Sequence, residues 1–283
     1  MDETGTATQA DWLTACRRAT ELIRTMLGQH PTTADRALET GTTGEGGDHT
    51  LEIDAFAEEI VFGELQRVHD EGYSFVAISE ERGSVDFGGT DVLVMIDPID
   101  GSLNAKRGLA HHALSLAVAA GGTMADVVFG YVYDFGTSEE WWARAGAGAF
   151  LNEHRLDHEV GERRGPTGRL EVLGIESADP RLIKASIDLL VDRAYRLRAI
   201  GAIAPSLCQV AAARFDGLIS LRRCRAVDAA AAQLIVREAG GCVSFPAFTE
   251  PLAAPLDLAP HSHVAAARTQ ETLTDLESVC RRL

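Results

Sequence analysis

Two carboxylates stand three residues apart in Val92-Leu-Val-Met-Ile-Asp97-Pro-Ile-Asp100-Gly-Ser102-Leu-Asn104, and they set the chemistry this stretch can do. The five apolar residues before Asp97, three of them β-branched, predict a buried strand. Pro98 withholds a ladder donor and ends it. Asp97 and Asp100 are then expected together at the strand's end. Gly101 opens a tight turn whose backbone N–H groups, with the start of a short helix, make a seat for phosphate. Hard oxygen ligands beside an anion cradle suit Mg²⁺ and phosphate. The same Asp-Pro-x-Asp-Gly run is also ordinary turn chemistry, in which Asp caps, Pro fixes φ and Gly takes a conformation other residues avoid. The surrounding elements must decide between the two.

Those elements follow from hydrophobic periodicity. Residues 11–27 carry a helical apolar stripe and stop at Gly28. Residues 31–48 are rich in Thr and Gly without a period and read as a loop. Thr50 can cap a second helix, with Ile53, Phe56, Ala57, Ile60 and Leu65 inward, Glu58, Glu59 and Glu64 toward water, and Asp54 in its first turn. A short strand over 74–79 leads into Glu80-Glu81, and a Gly-rich link reaches Asp91. Strands over 113–120, 127–133 and 140–145, then a hairpin corner at 146–152, make an antiparallel run. Gly161-Glu-Arg-Arg-Gly-Pro-Thr-Gly168 is the best linker. Beyond it strands alternate with helices, and the helix expected over 228–239 opens on Asp228. The expected class is α/β, with an α+β half over residues 1–160 and an α/β half over 161–283.

Composition removes other classes. The chain has 283 residues, 46% of them hydrophobic, enough for a large core. The start Met1-Asp-Glu-Thr carries no basic and apolar leader pattern, and the run 113–120 is too short to span a bilayer, so a cytoplasmic protein without membrane contact is expected. Five scattered cysteines without C-x-x-C spacing, and nine histidines without HExxH, argue against disulfide and zinc frameworks. A net charge of −16 opposes nucleic acid as partner. Lys106 and Lys184 are the only lysines. An acidic, Arg-rich, Lys-poor chain fits a cytoplasm of very high salt, and equally a GC-rich genome without salt adaptation. Under the first reading the unfolding midpoint rises between low and high KCl; equal midpoints remove that reading.

The run from Asp97 to Asn104, preceded by Ile78-Ser-Glu80-Glu81 and followed by Val227-Asp228-Ala-Ala-Ala-Ala232 and Glu238-Ala-Gly-Gly241, resembles the inositol monophosphatase family. Fructose-1,6-bisphosphatases belong to the same superfamily. Gly148-Ala-Phe-Leu-Asn152, Gly201-Ala-Ile-Ala204 and Val210-Ala-Ala-Ala-Arg214-Phe-Asp216-Gly217 extend the resemblance across residues 50–241. It implies a layered αβαβα sandwich and a homodimer. It also implies a site between the halves for two or three Mg²⁺, held by Glu80, Asp97, the carbonyl of Ile99, Asp100 and Asp228. Gly101 and Ser102 would offer N–H groups to the phosphate. Ser102, hydrogen-bonded to Asp54, and Glu80 would prepare a metal-activated water for direct in-line attack, without a phosphoenzyme.

The expected substrate is a small polyol or sugar phosphate, inositol-1-phosphate or fructose-1,6-bisphosphate. Asn104, Arg222, Arg223 and Arg225 are candidates to touch it, the three arginines with solvated surface as the bland alternative. The sequence departs from the family where substrate is chosen: Ser102 replaces the common Thr, Val227 a frequent Trp, Leu51 a frequent Lys, and Ala105 an aromatic. Rival readings are a 3′-phosphoadenosine 5′-phosphate phosphatase of the same superfamily and a non-catalytic sugar-phosphate-binding regulator.

Overall fold

Residues 6–45 and 49–283 are described by a computed structural model. Along the chain run α1 (Trp12–Gln29), α2 (Thr33–Arg36), β1 (Glu39–Thr43), β2 (His49–Leu51), α3 (Glu52–Asp70), β3 (Phe75–Ser79), β4 (Gly83–Asp100), α4 (Ser102–Arg107), β5 (Ala113–Ala119), β6 (Val127–Asp134), β7 (Glu139–Arg144), β8 (Gly148–Leu151) and β9 (His154–Arg155). Then follow β10 (Leu170–Glu176), α5 (Pro180–Leu190), β11 (Ala194–Arg198), α6 (Ile203–Ala211), β12 (Gly217–Ser220), α7 (Ala226–Glu238), β13 (Cys242–Ser244), β14 (Ala265–Ala267) and α8 (Gln270–Cys280).

Strands β3 to β9 form one sheet in chain order, and β11-β10-β12-β14-β13 form a second. Side chains of β5 alternate between two cores, as the two-residue period of a strand requires: Ala113, Ala117 and Ala119 join one apolar cluster, Leu114, Leu116 and Val118 the other. The whole strand is therefore buried. Helices α1 and α3 cover one face of the first sheet. Helices α6 and α7 lie between the sheets, and α5 and α8 cover the outer face of the second. These are the five layers of an αβαβα sandwich. Helix α7 approaches closely because Ala229–Ala232 are fully buried, and Gly130 on β6 has no Cβ to collide with the Ala231 carbonyl.

Several expectations are corrected. The region 31–48 holds α2 and β1, with 46–48 outside the described residues. Leu51 occupies the N-cap of α3, and the side chain of Thr50, expected there, lies outside what is described. Phe56 is exposed, whereas Glu58 and Glu64 are buried. Glu58 accepts from the Ser79 hydroxyl and from the Arg82 N–H and Nε, while Arg18 and Arg67 reach Glu64 at 3.1 and 3.0 Å. The Gly-rich link after Gly83 is strand: residues 83–88 pair antiparallel with β3, and 93–96 return beside it in parallel register. Pro98 does not end β4. Pairing resumes at Asp100 with Ala113 after Asp97 with Ser115, so Pro98 sits in a bulge that needs no ladder donor from it.

Candidate active site

The bulge decides where the two aspartates go. It lets β4 stay in the sheet while Asp97 and Asp100 turn toward the sheet's end, both at least nine-tenths buried. Gly101 then takes φ 90° and starts α4, and Ser102 is its first helical residue. A Cβ at Gly101 would lie 2.9 Å from the His111 carbonyl and 3.0 Å from the Ala202 methyl. Gly101→Ala is therefore expected to cost about 1–3 kcal/mol and to lower turnover more than it lowers the melting point, because the turn that would seat phosphate must move. Equal turnover in the two proteins would contradict this.

Glu80 comes from the turn after β3 and Asp228 from the first turn of α7. One carboxylate oxygen each of Glu80, Asp97 and Asp228 lies within 4.8 Å of the others. Oxygens sharing one octahedral Mg²⁺ at about 2.0–2.1 Å stand about 2.9 Å apart when adjacent and about 4.2 Å when opposite, so the three carboxylates are near enough to converge on one ion. Asp100 accepts the Ala204 N–H at 2.6 Å at the start of α6. Asp97 accepts the Ile99 N–H at 3.0 Å.

Burial, with like charges beside them, pushes the Asp97 and Asp100 carboxyls well above the ordinary carboxylate range. Burial raises Glu80 to about 7, Arg225 opposing and Asp228 adding to the rise. Burial, then Glu81 and Glu80, raise Asp54 to about 8. Asp54 Oδ1 is buried without a hydrogen-bond partner. Crowded carboxylates and an orphaned buried oxygen are a donor set that a divalent cation would satisfy.

Two expected contacts differ. The Ser102 hydroxyl donates to the Ile99 carbonyl at 3.1 Å, not to Asp54, so it occupies an oxygen expected to face metal. Asn104 ties two segments together, donating to the His111 and Ile200 carbonyls at 3.0 and 2.7 Å.

Two cavities meet at this cluster. One of about 490 Å³ is lined by Asp54, Glu80, Asp97, Ile99, Gly101 and Ser102, among others. A larger one of about 810 Å³ is lined by Asp100, Asn104, Asp228 and Arg222. Arg225 lines both. Arg222 pairs with Asp179 at 3.1 Å, and Arg223 is exposed and lines neither cavity.

Sequence reasoning did not single out His111 or Glu176, which also line the larger cavity. His111 holds a positive φ of 63°, and its Nδ1 lies 2.8 Å from Asp134. Glu176 accepts from Ile200 and Gly201 N–H groups and from Ser206. Neither residue lies in a local motif; only the tertiary arrangement brings them to the site.

The profile of the inositol monophosphatase family matches residues 7–281. The chain belongs to that family. Its family and the names of its relatives mark it as a phosphatase. A fructose-1,6-bisphosphatase/inositol-1-monophosphatase of Thermococcus kodakarensis is 37% identical over 210 residues, 74% of each chain. A Nus factor SuhB of Haemophilus influenzae is 34% identical over 199 residues, 69% of this chain and 71% of that one. A solved inositol monophosphatase-fructose 1,6 bisphosphatase superposes with a TM-score of 0.80 at 24% identity, covering 95% of this chain and all of that one, which supports the shared fold. Among the described residues, no helix of this inositol monophosphatase family member is long and apolar enough to cross a membrane.

Proposed function

We propose that this phosphatase is a Mg²⁺-dependent phosphomonoesterase of a small polyol or sugar phosphate, inositol-1-phosphate or fructose-1,6-bisphosphate. The observation that carries the reading is the approach of Glu80, Asp97 and Asp228 to within 4.8 Å, beside the Gly101 turn. Glu80, Asp97, Asp100, Asp228 and the Ile99 carbonyl are the residues that would hold two or three ions, Ile99 through the lone pair that the Ser102 hydroxyl leaves open. Bound Mg²⁺ would supply charge neutralisation at phosphorus, a lower pKa for the attacking water and stabilisation of the departing alkoxide.

The chain's own groups supply the rest. Gly101 and Ser102 N–H groups hold phosphoryl oxygens at the start of α4. Glu80 takes the proton of the attacking water, with Asp54 and Ser102 flanking it on the same cavity wall. The sugar or polyol lies in the larger cavity, beside Asn104, Arg222 and Arg225. In this reading residues 1–160 form one domain and 161–283 the other, which contributes Asp228. The protein works as a homodimer in the cytoplasm, on the resemblance to the family.

The Nus factor names among the relatives support a second reading, a protein-binding role beside the chemistry. The charge of −16 weighs against direct contact with nucleic acid. The deciding experiment is phosphate release by EDTA-stripped protein from inositol-1-phosphate, fructose-1,6-bisphosphate and 3′-phosphoadenosine 5′-phosphate, with and without Mg²⁺ at high KCl. Magnesium-dependent release from the first two is expected. Preference for the third would make it a nucleotide phosphatase, and sugar-phosphate binding without release would make it a regulator.

A further inference from the structure

The side chain of Arg225 stands among the proposed metal ligands. Its Nη1 lies 2.7 Å from Glu80 Oε1 and its Nη2 3.3 Å from Asp228 Oδ1. Its backbone N–H also donates to Asp228 Oδ2 at 2.9 Å. Both oxygens of Asp228 therefore face Arg225. The side chain is 19% exposed, and burial disfavours its charge, yet Asp228, Glu80 and Asp97 hold it firmly protonated.

We propose that the Arg225 guanidinium is a resident counter-cation of the Glu80, Asp97 and Asp228 cluster, which a divalent metal must displace in order to bind. The inference rests on the metal-site reading above. The guanidinium takes up acceptor capacity on Glu80 Oε1 and Asp228 Oδ1 that a metal ion would otherwise draw on. A fixed positive charge a few ångströms from a divalent ion also repels it, strongly so in a buried site. The two cations therefore compete for the same carboxylates, and their repulsion is relieved when the side chain moves. Because Arg225 lines both cavities, a displaced guanidinium stays on the wall of the larger one, within reach of an anionic substrate. Metal binding would thus set a substrate-facing charge free.

A purely structural arginine would weaken metal affinity on removal. Displacement predicts the opposite sign. Mn²⁺ binding to the full chain, followed by electron paramagnetic resonance at constant pH and ionic strength, is expected to be about ten-fold tighter in Arg225→Met than in the wild type. Sub-denaturing guanidinium chloride should weaken binding to Arg225→Met more than to the wild type, because the free ion re-enters the vacated place. Equal or weaker Mn²⁺ binding by a folded Arg225→Met overturns the proposal. Should that variant fail to fold by circular dichroism, the neutral Arg225→Gln decides, with tighter binding supporting displacement and equal or weaker binding overturning it. If instead the wild type does not bind Mn²⁺, or binds no better than Asp97→Asn, the metal-site reading itself fails and takes this inference with it.

Discussion

Asp97→Asn is expected to cut magnesium-dependent phosphate release by about a thousand-fold, since loss of several kcal/mol of electrostatic stabilisation at the reacting phosphate corresponds to that factor. Asp97 is the proposed ligand shared between two ions, and it stands within 4.8 Å of both Glu80 and Asp228. The amide is nearly the same size, and its oxygen can still accept the Ile99 N–H that Asp97 accepts at 3.0 Å. The fold should therefore survive. The metal-free variant should melt no lower than the wild type, because a neutral group replaces a buried carboxyl crowded by Glu80, Asp100 and Asp228. Turnover and melting measured on the same sample separate the two effects. Near-normal turnover would sink the assignment of Asp97.

The metal-free protein is expected to lose stability as pH rises, with a midpoint lower by on the order of 10 °C at about pH 8 than at about pH 5. Glu80 is raised from 4.5 to about 7 and Asp54 from 3.8 to about 8 in the fold. An acid raised on folding holds its proton in the native state where the unfolded chain has released it. Its contribution is complete below the ordinary value and is lost as pH climbs through the folded value. The window thus runs from about pH 4 to about pH 8. Added Mg²⁺ should reverse the slope, because cation binding takes the deprotonated cluster and tightens as protons leave. Melting curves across this range with and without Mg²⁺ test both signs, and a flat or rising metal-free profile would contradict the account.

What was legible in the sequence lay in local patterns. The apolar run before Asp97 gave the central strand, and the alanines after Asp228 gave a close-packed helix, because each buries through a period visible in the residues themselves. Charge misled where distant partners decide burial. Glu58 and Glu64 looked solvated on a helix wheel, yet Ser79, Arg82 and Arg18 arrive from other elements to receive them. Pro98 looked like a strand end because a bulge is invisible without the partner strand. The place of Arg225 had no local signal either: Glu80 is 145 residues away, and only the packing of α7 against the first sheet brings the two together.

The hydrogen bond from the Ala204 N–H to Asp100 has a further consequence. Asp100 belongs to the chain before the polar stretch at 161–168, and its brace, like Asp228, belongs to the chain after it. Glu176 in turn fastens the Ile200–Gly201 turn that leads into α6. Neither portion of the chain carries a finished site. If the acidic cluster takes a cation as proposed, its affinity becomes an assembly sensor: it would report not how much protein is folded but how much has both portions seated, and a molecule nicked within 161–168 would recover it only if its pieces reassociate.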